Sequence, residues 1–90
     1  MSEFGLIARL TARAGTRSDV ALGIGDDAAL LEVPAGEQLV ACCDALNEGV
    51  HFLAGTEPAD IGWKSLAVNL SDLAAMGARP AWALLSLSLP

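Results

Sequence analysis

The segment PADIGWKSLAVNLSDLAAMGARP (residues 58–80) decides the fold of this chain. Residues 59–76 carry apolar side chains at the 3.6-residue period of an amphipathic helix. One face of this helix would hold Leu66, Leu70, Leu73 and Gly77. Pro58 suits the first turn of a helix, and Gly77 suits the left-handed residue that follows the last turn. We therefore predict a long helix over residues 59–76 that ends at Gly77.

Four aspartates lie in apolar stretches of the sequence. Asp26 and Asp27 interrupt GIGDDAALL, Asp44 ends LVACCD, and Asp72 lies inside LAVNLSDLAAMGA. A carboxylate in apolar surroundings costs free energy unless it is paired or bound to a metal. Three such sites on three segments favour one shared cation site, and carboxylate oxygens suit Mg²⁺. Spacing alone leaves a second interpretation open, in which each aspartate is a helix-cap or turn residue.

The rest of the chain predicts one further helix and three strands. The helix covers residues 3–14, with Ser2 as its cap and Gly15 at its end, and the strands cover residues 28–33, 38–43 and 81–89. Residues 34–36, Pro-Ala-Gly, form a turn signal between the first two strands, which we expect to pair as a hairpin. The order is helix, strand, strand, helix, strand, which is an α+β domain.

Composition narrows the function classes. The net charge of −6 argues against a nucleic-acid-binding surface but not against a phosphate ligand, because divalent cations can supply positive charge. No stretch approaches twenty uninterrupted apolar residues, so we expect no membrane span and a cytoplasmic location. Hydrophobic residues make up 53% of the chain, and it stops at the end of a predicted strand. We therefore expect a fragment that pairs with a second copy or with a missing remainder.

Three further side chains could carry chemistry. His51 is the only histidine and lies in a predicted loop, where a ligand contact and a packing role are both open. Cys42 and Cys43 are adjacent, so they predict neither a disulfide framework nor a zinc site. We interpret both cysteines as buried strand residues rather than redox groups. Because a thiol is a poor ligand for magnesium, Asp44 and backbone carbonyls would provide most of any metal contact there.

Several of these stretches resemble one enzyme family. GIGDDAALL, DALNEGVHF and KSLAVNLSDLAAMGARPAWALLSLSLP are similar to the N-terminal part of the thiamine-monophosphate kinases, and SEFGLIARL resembles the start of that family. The resemblance implies the N-terminal portion of an aminoimidazole ribonucleotide synthetase-like ATP-binding domain, with residues 1–90 lacking the rest of that domain and the C-terminal domain. It also implies a homodimer that has no P-loop and transfers the γ-phosphoryl group of ATP to thiamine monophosphate with Mg²⁺.

The resemblance also assigns roles to residues. The implied metal-binding positions are Asp27, Cys42, Cys43, Asp44 and Asp72, and His51 would contact thiamine monophosphate. The two cysteines stand where the family usually has Ser or Thr hydroxyls. If the family contact is a hydroxyl, metal affinity should fall; if it is a backbone carbonyl, little changes. Two alternatives remain: another ATP-dependent enzyme of the same superfamily, or a non-catalytic dimerisation or metal-binding module.

Overall fold

The computed structural model describes residues 2–90, which form two helices and two short strands. In chain order these are α1 (Glu3–Leu10), β1 (Val20–Leu22), β2 (Leu30–Leu31) and α2 (Pro58–Ala75). The chain divides into two units, one ending at Leu39 and the other running from Val40 to Pro90. Helix α1 and both strands belong to the first unit, and α2 belongs to the second. The α+β composition agrees with the sequence prediction.

Helix α1 begins where predicted and ends early. The Ser2 Oγ accepts a hydrogen bond from the Gly5 N–H at 3.0 Å, which satisfies one of the unpaired amides of the first turn. At the other end, the Thr11 hydroxyl donates to the Ile7 carbonyl at 2.7 Å, and the Thr11 N–H donates to the same oxygen. This local side-chain bond competes with continued helical pairing. The helix therefore stops at Leu10, and the predicted extension to residue 14 is wrong.

The strand pairing differs from the predicted hairpin. Strand β1 pairs antiparallel with β2, placing Val20 opposite Leu31 and Leu22 opposite Leu30, so that Ala21 is an extra residue in the ladder. Strand β1 lies outside the predicted strands, and residues 38–43, which were expected to pair, form no strand. The glycine-rich GIGDD segment, rather than Pro34-Ala35-Gly36, therefore connects the paired strands.

The Pro34-Ala35-Gly36 turn itself is confirmed. The Glu37 N–H donates to the Pro34 carbonyl at 3.2 Å, and Gly36 has a φ of 82°. Positive φ at this position is readily reached only by glycine. The turn reverses the chain, but residues 38–43 find no strand among the described residues to pair with. A turn signal alone thus does not establish a hairpin.

Helix α2 confirms the longest prediction to within one residue at each end. Pro58 occupies the first turn, as expected. At the C-terminal end, the Ala78 N–H donates to the Leu73 carbonyl at 2.9 Å and the Gly77 N–H donates to the Ala74 carbonyl at 3.0 Å. Gly77 has a φ of 67°. These two bonds form a Schellman motif around a left-handed glycine, which satisfies carbonyls that the helix leaves unpaired.

The predicted third strand is wrong. Residues 81–89 are assigned to no strand in the described structure, although their alternating sequence suits one. A β-strand is defined by ladder pairing with a neighbouring strand, and the β1–β2 sheet of the described residues does not include this segment. The observed order is therefore helix, strand, strand, helix, with both strands displaced from their predicted positions.

No described residue is buried. Leu66 and Leu70, on the apolar face of α2, are 52% and 38% exposed, and Leu84 is 89% exposed. The accessible surface is 7791 Å², whereas two separate compact globules that share this mass would expose roughly 6,000 Å². Exposed apolar surface of this extent favours contact with other polypeptide. Among the described residues, no helix is long and apolar enough to cross a membrane.

Candidate functional site

The acidic loop between β1 and β2 separates the roles of its two aspartates. The Asp26 Oδ1 accepts a hydrogen bond from the Asp27 N–H at 2.8 Å, and the preceding Gly25 has a φ of 117°. Asp26 is thus a turn residue, as the sequence suggested. The exposed Asp27 carboxylate has no hydrogen-bond partner among residues 2–90. It is therefore available to an external cation.

The segment before Asp44 lies against helix α2. The Cys42 thiol is 3.5 Å from the Asn69 Oδ1 and 3.6 Å from the Asn69 carbonyl oxygen, and it can donate to either. The Asn69 side chain is fixed in turn, because its Nδ2 donates to the Ser65 carbonyl at 2.8 Å. Asn69 and Asp72 are three residues apart and are neighbours on the helix surface. This contact links the Cys42–Asp44 segment to the helical turn that carries Asp72.

The cysteines are not the buried strand residues that the sequence suggested. Cys42 and Cys43 are both free and exposed, and neither belongs to a strand. The reason is the missing partner for residues 38–43, since an unpaired segment cannot be enclosed in a sheet. Cys42 nevertheless has a specific neighbour in Asn69.

The structure places the predicted metal ligands in different units. Asp27 lies in the first unit, whereas Asp44 and Asp72 lie in the second, and all three are exposed. Their exposure removes the burial cost from which the cation site was first inferred. Within either unit, the described His, Cys, Asp and Glu side chains form no group of three that could hold a metal ion.

The donor chemistry of these residues still fits magnesium. Mg²⁺ prefers hard oxygen ligands and is usually held by one or two carboxylates, with water and phosphate oxygens completing its shell. Exposed carboxylates at Asp44 and Asp72, without a closed cage of protein ligands, match that requirement. They do not match zinc, which is normally enclosed by four nitrogen or sulfur ligands in structural sites. The side chains therefore suit a hydrated ion that also binds a phosphate.

His51 lies in a short loop, Asn47–Phe52, with extensive internal hydrogen bonding. The Asn47 carbonyl accepts from the N–H groups of Val50 and His51 at 3.1 and 2.9 Å, and the Phe52 carbonyl accepts from the Gly49 N–H at 2.7 Å. The imidazole takes part as well, because its Nδ1 accepts from the Asn47 N–H at 2.8 Å. The predicted loop position is confirmed, and the ring is exposed.

One side chain of helix α2 reaches this loop. The Lys64 Nζ donates to the His51 carbonyl, across thirteen positions of sequence. Sequence reasoning missed Lys64, since a single lysine on a helix surface carries no signal for a contact with a loop. It also missed the contact of Cys42 with Asn69.

A shallow cleft in the first unit lies away from these residues. It has a volume of about 340 Å³ and is lined by Ser18, Asp19, Glu32, Val33 and Pro34. Asp19 forms an ion pair with Arg17 at 2.6 Å. Exposed ion pairs of this kind contribute little to stability, about 0–1 kcal/mol. Nothing in the cleft resembles the predicted site.

Comparison with known proteins decides the family. Residues 25–90 match the AIR synthase related protein, N-terminal domain. The chain belongs to this family. Domains of the AIR synthase related family therefore provide the architecture to which α2 and the acidic loop belong.

Thiamine-monophosphate kinases from two bacteria are similar in sequence to this chain. It is 57% identical over 89 residues to the thiamine-monophosphate kinase of Escherichia coli strain K12, covering 98% of the chain and 27% of that protein. It is 50% identical over 91 residues to the thiamine-monophosphate kinase of Bacillus subtilis strain 168, covering 100% of the chain and 28% of that protein. The chain thus spans about a quarter of the length of these relatives. The resemblance inferred from the sequence motifs is confirmed.

Proposed function

We propose that this chain carries part of the active site of an ATP-dependent kinase that converts thiamine monophosphate to thiamine diphosphate. The observation that carries the proposal is the 57% identity over 89 residues to the E. coli protein of that name. The proposed reaction is a direct in-line transfer of a phosphoryl group, which needs positioning and charge neutralisation more than covalent chemistry by the protein.

Asp27, Asp44 and Asp72 are the proposed magnesium ligands. Their carboxylates are exposed and of the donor type that Mg²⁺ prefers. When bound, magnesium would neutralise phosphate charge and orient the two phosphate groups. The chain has a net charge of −6, and its two proposed ligands, ATP and thiamine monophosphate, are both anionic. A bound cation would offset the repulsion between these negative charges.

The other residues of the site orient these groups. Asp26 holds the backbone at Asp27 through its 2.8 Å hydrogen bond. Cys42 contacts Asn69 through its thiol, which leaves the backbone carbonyls at Cys42 and Cys43 as the proposed metal contacts of this segment. His51 is the proposed contact of thiamine monophosphate.

The nucleotide contacts and the dimer are proposed to involve the complete protein. Because the chain spans 27% of its E. coli relative, we propose that residues 1–90 are the N-terminal part of an ATP- and magnesium-binding domain and are inactive alone. The exposed apolar side chains would be covered by the remainder of the protein and by a second copy in a homodimer. The proposed location is the cytoplasm.

A second candidate is a non-catalytic assembly module. The observation that favours it is the absence of any buried side chain among the described residues. Exposed apolar surface of this extent is typical of segments that associate with other polypeptide. Such a module would bind a partner chain without forming thiamine diphosphate.

Product analysis tests the proposal. The complete protein is incubated with ATP, Mg²⁺ and thiamine monophosphate, and thiamine diphosphate is separated by chromatography. We expect formation of the product that stops when the metal is chelated. No product, with the protein folded and metal present, would overturn the assignment and leave another superfamily activity or the assembly module.

A matched pair of variants tests the acidic loop. Asp27→Asn removes the proposed ligand charge, and activity should fall by at least about a hundredfold, as expected when a charged group is lost from the transition state. Asp26→Asn keeps an Oδ1 that can accept from the residue 27 N–H, so activity should stay within a few-fold of the original. Equal losses in both variants would contradict the separate roles of the two aspartates.

A further inference from the structure

We propose that Lys64 is a positioning residue for His51, and that the loop Asn47–Phe52 presents the His51 Nε2–H as a donor to an anionic phosphate oxygen. The proposal rests on the proposed function for the identity of that ligand, the phosphate of thiamine monophosphate. The orientation of the imidazole ring is argued from the hydrogen bonds of the structure alone.

A hydrogen bond to the backbone orients the imidazole of His51. The Nδ1 atom accepts the Asn47 N–H at 2.8 Å, so its lone pair is occupied. A neutral imidazole carries one proton, and when one nitrogen accepts a hydrogen bond the proton lies on the other. His51 therefore exposes Nε2–H, a donor, to its surroundings. A donor in this position is complementary to a phosphate oxygen and not to another donor.

The loop Asn47–Phe52 is closed by hydrogen bonds between its own backbone groups. The N–H groups of Val50 and His51 converge on the Asn47 carbonyl, and the Gly49 N–H bonds the Phe52 carbonyl at 2.7 Å. Gly49 has a φ of 82°, which glycine reaches without the steric penalty of other residues. The backbone donor that fixes the ring thus belongs to a closed turn.

Lys64 connects this loop to helix α2. Lys64 donates from its ammonium group to the His51 carbonyl, and a charged donor makes a stronger bond than a neutral one. Helix α2 also carries Asp72, the proposed metal ligand. Lys64 therefore connects the element that binds the substrate phosphate to the element that binds the metal. In-line transfer depends on that relative placement, because small displacements of reacting groups reduce the rate.

Kinetics of the complete protein test this role. Lys64→Met should raise the KM for thiamine monophosphate about tenfold, equivalent to about 1.4 kcal/mol, and leave the KM for ATP unchanged. Lys64→Arg keeps a charged donor and should restore the KM to within a few-fold. Arg13→Met is the matched control, since it removes one positive charge from an exposed position in the first unit and should change nothing.

A double-variant cycle separates positioning from direct binding. If Lys64 acts through His51, Lys64→Met should have no further effect in a His51→Ala background. A multiplied effect in the double variant, or a raised KM for ATP, would show that Lys64 contacts a ligand itself and would overturn the proposal.

Nitrogen NMR tests the orientation independently of any reaction. In the complete protein labelled with ¹⁵N-histidine, the His51 signal, assigned with His51→Gln, should show an unprotonated Nδ1 and a protonated Nε2. Lys64→Met should mix the two tautomers as the loop loosens, whereas Arg13→Met should not. A protonated Nδ1 in the unaltered protein, or a spectrum unchanged by Lys64→Met, would refute the inference. Absence of thiamine diphosphate alongside the expected spectra would instead refute only the proposed function.

Discussion

The two glycines of helix α2 should respond to the same substitution with opposite signs. Gly62 lies inside the helix, whereas Gly77 follows its last turn with a φ of 67°. A Cβ added at either position would meet no atom within 4 Å, so neither substitution creates a clash. The effect of each change therefore comes from backbone conformation alone.

The magnitudes follow from the two conformations. Gly62→Ala should stabilise the helix by about 1 kcal/mol, which is the difference in intrinsic helix propensity between alanine and glycine. Gly77→Ala should destabilise it by about 1–2 kcal/mol, because an L-residue with a Cβ is strained in the left-handed region. The two variants should therefore differ by roughly 2–3 kcal/mol, although the added group is the same methyl.

Two measurements check this pair of values. Circular dichroism of a peptide covering residues 56–80 isolates α2 from any polypeptide that covers its apolar face, and helicity should rise with Gly62→Ala and fall with Gly77→Ala. Hydrogen exchange in the complete protein should show faster exchange at the Ala78 amide in the Gly77 variant, because that amide closes the Schellman motif onto Leu73. Equal helicity in the two peptide variants, or unchanged exchange at Ala78, would refute the reasoning.

Three other predictions concern the metal, the surface and the cap. Asp72→Asn should abolish magnesium-dependent nucleotide binding in the complete protein, and calorimetry showing an unchanged affinity for Mg-ATP would contradict the proposed ligand. The 90-residue chain should self-associate at micromolar concentration because no described side chain is buried, and sedimentation as a clean monomer would count against this. Ser2→Ala should cost about 1 kcal/mol of helix stability by removing the bond to the Gly5 N–H, measured as faster exchange of that amide; Ser2→Asp, which keeps an acceptor, should show no such change.

Helix prediction succeeded because its signals are local. The bounds of α2 depend on residues within four positions of one another, including Pro58 at the start and Gly77 after the end. The Ser2 cap is equally local. The one failure in a helix, the early end at Leu10, came from a local bond that the apolar pattern does not reveal, the Thr11 hydroxyl on the Ile7 carbonyl.

Strand prediction failed because pairing is not local. Residues 38–43 and 81–89 have the composition of strands, but neither segment joins the β1–β2 sheet of the described residues. Residues 20–22 lay outside every predicted strand and yet pair with β2. The same limit applied to the cysteines, whose predicted burial depended on a strand that did not form.

The sequence by itself determined helix α2 and the resemblance to the thiamine-monophosphate kinases, because periodicity, caps and motifs depend on neighbouring residues. Only the tertiary structure decided that Cys42 meets Asn69 and that Lys64 holds the carbonyl of His51. Those contacts join residues 27 and 13 positions apart. Such contacts close a loop of intervening chain, so no local sequence pattern encodes which atoms meet.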